Sequence, residues 1–174
     1  MTGQEHGARA ASGPEPVAAV VRVATASDAT AMVELRSVMF EAMGTPAPEL
    51  GAPQWRTAAR SWFVSRSGDH RTRIVVAEVE GRVVSGAVGE VSALIPGPNT
   101  VNGSVGLISN VATVPAWRGR GLAAACTDDL LRWFEHDTDV TRVDLFATAS
   151  GSRIYTARGF HVRAFPAMCL PVPR

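Results

Sequence analysis

Apolar residues along this chain switch between a period of two and a period of three to four, and the switches divide it into strands and helices. Val20 to Ala24 reads as a short strand. Ser27 or Asp28 can cap the next helix, in which Met32, Val33, Leu35, Val38, Met39 and Met43 recur at helical spacing until Gly44 ends it. Thr45 to Pro48 reads as a loop, and Gln54 to Ser65 as a second helix with Trp55, Ala58, Ala59, Trp62 and Phe63 on its inner side. Gly68 and Asp69 turn the chain. Valines then alternate along Arg73 to Glu80 and Arg82 to Leu94, which predicts a hairpin about Gly81, closed by a longer turn at Pro96 to Asn99. Val105 to Val114 is the next strand, and Pro115 stops it. A helix over Leu122 to His136, a strand over Thr141 to Ala147, a short helix over Ser152 to Ala157 and a last strand over Val162 to Val172, broken by Pro166, complete the order. Such an order predicts a mixed α/β layer, with a mainly antiparallel central sheet flanked by helices rather than a doubly wound parallel one.

Composition narrows the setting. The chain has 174 residues, 46% of them hydrophobic, enough for one full core. Residues 1–18 are rich in Gly, Ala, Ser and Pro and read as a flexible tail, leaving 19–174 as the single domain. All 17 basic residues are arginines, and 16 acids nearly cancel them to a formal charge of +1, so bulk electrostatics point to neither nucleic acid nor a membrane surface. No apolar run is long enough to span a bilayer and no signal core follows the N-terminus. Cys126 and Cys169 show no pairing pattern, which suits a reducing, cytoplasmic location. His136 and His161 have no acidic or cysteine partner at ligand spacing, so no metal is expected.

The most informative stretch runs from Val111 to Ala123. It reads as a strand end, a turn holding Gly119 and Gly121, and a helix start. Glycine lets backbone approach a bulky anion, and the free N–H groups of a new helix, at the positive end of its dipole, can bind phosphate oxygens. Dinucleotide and P-loop readings fail on residues: there is no Gly-x-Gly-x-x-Gly and no Gly-Lys-Ser/Thr after the turn.

Arg118, Gly119, Arg120, Gly121, Leu122, Ala123, preceded by Trp117, resembles the pyrophosphate loop of the GNAT family, the Gcn5-related N-acetyltransferases. Further on, Tyr155, Thr156, Ala157, Arg158, Gly159, Phe160 matches the family's Tyr, three residues, Gly, Phe. The resemblance spans Val20 to Val172 and implies two strands splayed apart at an acetyl-CoA site. It implies that Arg118 to Ala123 wrap the pyrophosphate, and that the backbone of Val111, Ala112 and Thr113 pairs with the pantetheine arm as an added strand would. Ser109 and Asn110, just before, either face the acceptor or fill the sheet. Thr148 stands where many members carry an Asn that bonds the pantetheine, with Ser152 as a candidate to compensate.

Tyr155 then falls where the family places a hydroxyl near the coenzyme sulfur. It is either the general acid for the departing thiolate or an aromatic packed under Phe160. Leu107 and Ser109 occupy positions where several members carry a general base, and neither can serve. Glu90, Glu41 or a water chain are the substitutes. The expected activity is acetyl transfer to a primary amine of a small molecule or peptide by direct attack. A non-catalytic acyl-CoA sensor is the alternative, and a longer acyl donor also fits. The resemblance further allows a homodimer.

Overall fold

The computed structural model describes residues 18–165 and 167–172, so nearly all of the expected N-terminal tail, and Pro166, lie outside it. Strand β1 (Val20–Val23) leads through a short 3-10 turn into α1 (Ala29–Ala42). Helices α2 (Ala47–Gly51) and α3 (Pro53–Arg66) follow, then β2 (Thr72–Val79), β3 (Arg82–Ala93), β4 (Ser104–Thr113), α4 (Leu122–Asp137), β5 (Val143–Leu145) and α5 (Ser152–Thr156). The five strands form one sheet in chain order, and only the β4–β5 pair is parallel. This is the mainly antiparallel mixed sheet that the hydrophobic pattern predicts. No helix among the described residues is long and apolar enough to cross a membrane.

Three expectations need correction. Ala47 to Gly51 is a short helix, not a loop, because a proline at the start of a helix gives up only an N–H that has no partner there anyway. Strand β5 keeps only the middle of Thr141 to Ala147. No strand forms among the described residues of Val162 to Val172, whose Val162, Phe165, Met168, Leu170 and Val172 are exposed. An extended segment becomes a strand only when an edge accepts it, and prolines at 166 and 171 remove ladder donors.

Alternation along β2 builds a core on each face of the sheet. Val75, Ala77 and Val79 pack under Leu122, Cys126, Leu130 and Phe134 of α4. Ile74 and Val76 face Met32 and Leu35 of α1 and Phe63 of α3. Two glycines set the spacing of these layers: a Cβ on Gly106 would lie 2.7 Å from the Phe134 ring, and one on Gly86 2.8 Å from the Met32 sulfur. Cys126 is fully buried, and burial pushes its thiol up to about 12.

At the entry to α1 a buried carboxylate ties three elements together. Arg22 of β1 donates to Asp28 at 2.8 and 3.0 Å and to Glu78 of β2 at 2.6 Å, while the Thr25 N–H donates to Asp28 at 2.8 Å. The Arg22 guanidinium holds the Asp28 carboxyl down at about 2, against an ordinary value of about 4.

Gly106→Ala is expected to cost roughly 1–3 kcal/mol, read as a lower denaturant midpoint with unchanged far-UV circular dichroism. Because the Asp28 pKa is depressed on folding, its contribution is complete above about pH 4 and lost as pH falls through about 2. Asp28→Asn should therefore lose roughly 2 kcal/mol at pH 7, with the gap to the native chain closing between pH 4 and 2 in parallel chemical denaturations.

Candidate active site

The site begins where β4 loses a neighbour. Strand β5 pairs only with Gly106 to Ile108, so from Ser109 to Thr113 β4 is held by β3 alone. Within that half the ladder slips: Val88 faces Ser109 but Gly86 faces Ala112, which sets Asn110 and Val111 against the single residue Ala87. Asn110 takes a φ of 51°, a left-handed conformation that asparagine tolerates better than most side chains. The extra residue reverses the pleat. Ile108 packs in the α4 core whereas Ala112 packs in the α1 core, and the consecutive Ser109 and Asn110 both line one pocket on the α1 side.

Beyond the strand, a cleft of about 470 Å³ opens between the free half of β4 and the segment from Thr148 to Tyr155, with Met39 of α1 beside it. A 3-10 turn over Pro115–Trp117 leads into Gly119 and Gly121, both left-handed with φ of 76° and 78°. No side chain caps α4, and its ladder begins with the Ala125 N–H on the Gly121 carbonyl at 2.9 Å. The N–H groups of Leu122, Ala123 and Ala124 are therefore left for a ligand at the end of the cleft. Arg118 donates to the Thr113 carbonyl at 3.2 Å, and the Arg120 guanidinium lies 5.1 Å from the Trp117 ring centroid.

Tyr155 reaches the cleft from α5. It is buried, packs edge-on to Phe160 with ring centroids 6.0 Å apart, and burial raises its phenol pKa above the ordinary value. The proton stays on the oxygen at neutral pH. Helix α5 is too short to hold itself and is clamped from outside. Arg158 donates to Asp128 of α4 at 2.7 Å, to the Ile154 carbonyl at 2.8 Å and to the Ala124 carbonyl at 3.3 Å. Thr148 starts the turn into α5 by accepting the Gly151 N–H at 3.2 Å.

A second, larger pocket of about 810 Å³ lies across β4, between α1, α3 and the sheet. Its polar lining is Arg36, Thr45, Glu49, Glu90, Ser109 and Asn110. Phe40, Trp55, Trp62 and Phe63 form its apolar walls.

The family model of the GNAT acetyltransferases matches residues 31–160. The chain belongs to the GNAT acetyltransferase family. Acyl transfer is thus its general chemistry, and the family draws on acetyl-CoA. Among solved structures, a GCN5-related N-acetyltransferase from Ralstonia eutropha JMP134 is 23% identical with a TM-score of 0.77, over 89% of this chain and 99% of its own. A predicted acetyltransferase from Clostridium acetobutylicum with acetyl-CoA is 19% identical with a TM-score of 0.77, over 88% and 96%. Glucosamine-6-phosphate N-acetyltransferase from Arabidopsis thaliana is 18% identical with a TM-score of 0.66, over 88% and 98%. These likenesses show the GNAT fold. No curated protein matches the chain.

In this GNAT domain the first cleft gathers Val111, Ala112, Thr113, Arg118, Gly119, Gly121, Leu122, Ala123, Thr148 and Tyr155. Two residues named from the sequence stand apart from it. The Arg120 side chain stacks on Trp117, and the Ser152 hydroxyl donates to the Ala149 carbonyl at 2.9 Å. Glu90 lies in the second pocket, while the exposed Glu41 lines neither. Trp55 and Trp62 lie on the inner side of α3, partly buried against the core and lining the second pocket, while Phe63 is buried. Sequence reasoning missed Arg36. It sits one residue past Leu35 on the same helix turn, and helical periodicity singles out the apolar stripe rather than the charge beside it.

Arg158→Ala should release α5 from α4. Amide exchange at Ile154 to Ala157 is expected to rise at least tenfold by hydrogen–deuterium exchange, while exchange in β2 and β3 stays unchanged.

Proposed function

We propose that the protein transfers an acetyl group from acetyl-CoA to a primary amine by direct attack. One observation carries the reading: the free half of β4, the open N-terminus of α4 and Tyr155 border one cleft, and a largely apolar pocket that holds Glu90 borders the same strand. The residues present suit the donor. Backbone N–H groups from Gly119 to Ala124 would hold the pyrophosphate, and the unpaired backbone of Val111 to Thr113 would take the pantetheine amides. Acetyl-CoA, when bound there, supplies the thioester to the strand gap.

Glu90 is then the base in the second pocket, taking one proton from the ammonium so that the neutral nitrogen can attack the thioester carbon. As the C–N bond forms, the C–S bond breaks. Tyr155 gives its proton to the departing sulfur and recovers one from the nitrogen, so the net reaction yields amide, thiol and one proton to solvent. A phenol of pKa about 10 is a suitable donor to a thiolate whose acid has pKa about 8.5, and burial keeps it protonated until then. Two unpaired cysteines, Cys126 and Cys169, fit a reducing cytoplasm.

Tyr155→Phe is expected to lower turnover roughly a hundredfold with acetyl-CoA affinity within about twofold, measured by thiol release and calorimetry. Unchanged turnover would remove Tyr155 from the acid role. Glu90→Gln should slow the reaction far more at pH 7 than at pH 9, where about a hundredfold more of the amine is already neutral. Coenzyme binding without acetyl consumption across amines of every class would instead mark an acyl-CoA sensor.

A further inference from the structure

The second pocket holds a charge that acetyl transfer to a generic amine leaves unused. Arg36 is half-buried on α1, with its guanidinium 4.8 Å from the Phe40 ring centroid, and its Nη1 donates to Asn110 Oδ1 at 3.1 Å. Among the described residues it makes no ion pair, and its other N–H groups have no acceptor. Two acids line the pocket, Glu90, whose charge acts on Arg36, and the exposed Glu49. The unpaired N–H groups of Arg36 stay accessible, so they are free to meet an anionic group of a ligand in the pocket.

Asn110 adds an independent demand. It is only 4% exposed, its Oδ1 is committed to Arg36, and its Nδ2 is buried with no hydrogen-bond partner. Buried amide donors rarely go without an acceptor, and this one belongs to a residue that lines the pocket. A guanidinium with N–H groups to spare and an amide NH₂ without an acceptor thus lie side by side in a pocket that also holds a carboxylate. Its walls include Trp55, set edge-on to Phe40 at 6.1 Å, and Trp62, set edge-on to Phe63 at 5.2 Å.

We infer that this pocket takes an amine that also bears a carboxylate and a large apolar or aromatic group, the chemistry of a hydrophobic amino acid. Arg36 and the Asn110 amide receive the carboxylate, Glu90 faces the ammonium, and the side chain lies between Trp55 and Trp62. Polyamines are disfavoured, because a second cation would meet Arg36. The fate of the amine rests on the acetyl-transfer reading; the binding of the amino acid does not.

The test titrates the full chain, loaded with acetyl-CoA, with L-phenylalanine, L-tryptophan and L-leucine, and with their amides and phenethylamine, by calorimetry and thiol release in parallel. The free acids should bind and react at least tenfold better than the matched amides and the decarboxylated amine. Arg36→Gln should bring acid and amide to the same level without changing acetyl-CoA affinity. The acid-to-amide ratio of the native chain is a test that needs no variant to fold. Equal use of acid and amide, preference for phenethylamine or spermidine, absence of amino-acid binding, or an intact ratio in Arg36→Gln would each overturn the inference. Tight amino-acid binding with that ratio but no thiol release would sustain it and sink the acetyl-transfer reading, whereas acetylation of another amine with no amino acid bound would do the reverse.

Discussion

Strand β4 carries a backbone debt that the rest of the site is arranged around: past Ile108 it has lost β5, and its outward N–H and C=O groups have no ladder partner. A strand can end at such a point, but this one continues to Thr113, with β3 holding its other edge. The bulge at Asn110 and Val111 then turns its side chains over, so Ala112 anchors in the α1 core while Val111 packs toward α4, and a cleft lined by both helices opens beside them. Helix α4 starts just beyond, with its first N–H groups uncapped. The first cleft and the second pocket therefore both border one irregular strand, and helix α1 lines each of them.

The regular parts of the fold were legible in the sequence because their signal is local. Alternating valines in β2 and β3, the helical spacing of α1 and α4, and the glycines at 119 and 121 each report on a few neighbouring residues. The splayed half of β4 was reached by resemblance to the GNAT family, not by pattern. The bulge left no mark, since one added residue changes the phase of an alternation without changing its composition, and a left-handed asparagine looks like any other. Ser109 and Asn110 stayed undecided for that reason. Arg36 was invisible because its meaning depends on Asn110, far away in the chain. The last strand failed differently: apolar spacing over Val162 to Val172 is real, yet pairing needs an edge that sequence does not display.

Arginine does the work of joining elements here, in a chain without lysine. Arg22 links β1, β2 and the entry to α1; Arg73 of β2 reaches Asp129 of α4 at 2.7 Å; Arg158 fastens the end of α5 to α4. Arg22 and Arg158 each use several N–H donors in a fixed plane, which a lysine could not reproduce. Arg36 differs from these three, being a half-buried guanidinium whose hydrogen-bond partner among the described residues is an amide rather than a carboxylate.

The two cysteines differ in a way that equips the molecule for spectroscopy. Cys126 is sealed beneath the sheet with its thiol pushed up to about 12, so little thiolate forms to react, while Cys169 is exposed on the C-terminal segment. A maleimide or nitroxide reagent will therefore place one label on the native chain, beyond α5 in sequence, with no cysteine to remove first. The same thiol sets a fixed background of one equivalent when a disulfide dye is used to follow coenzyme release.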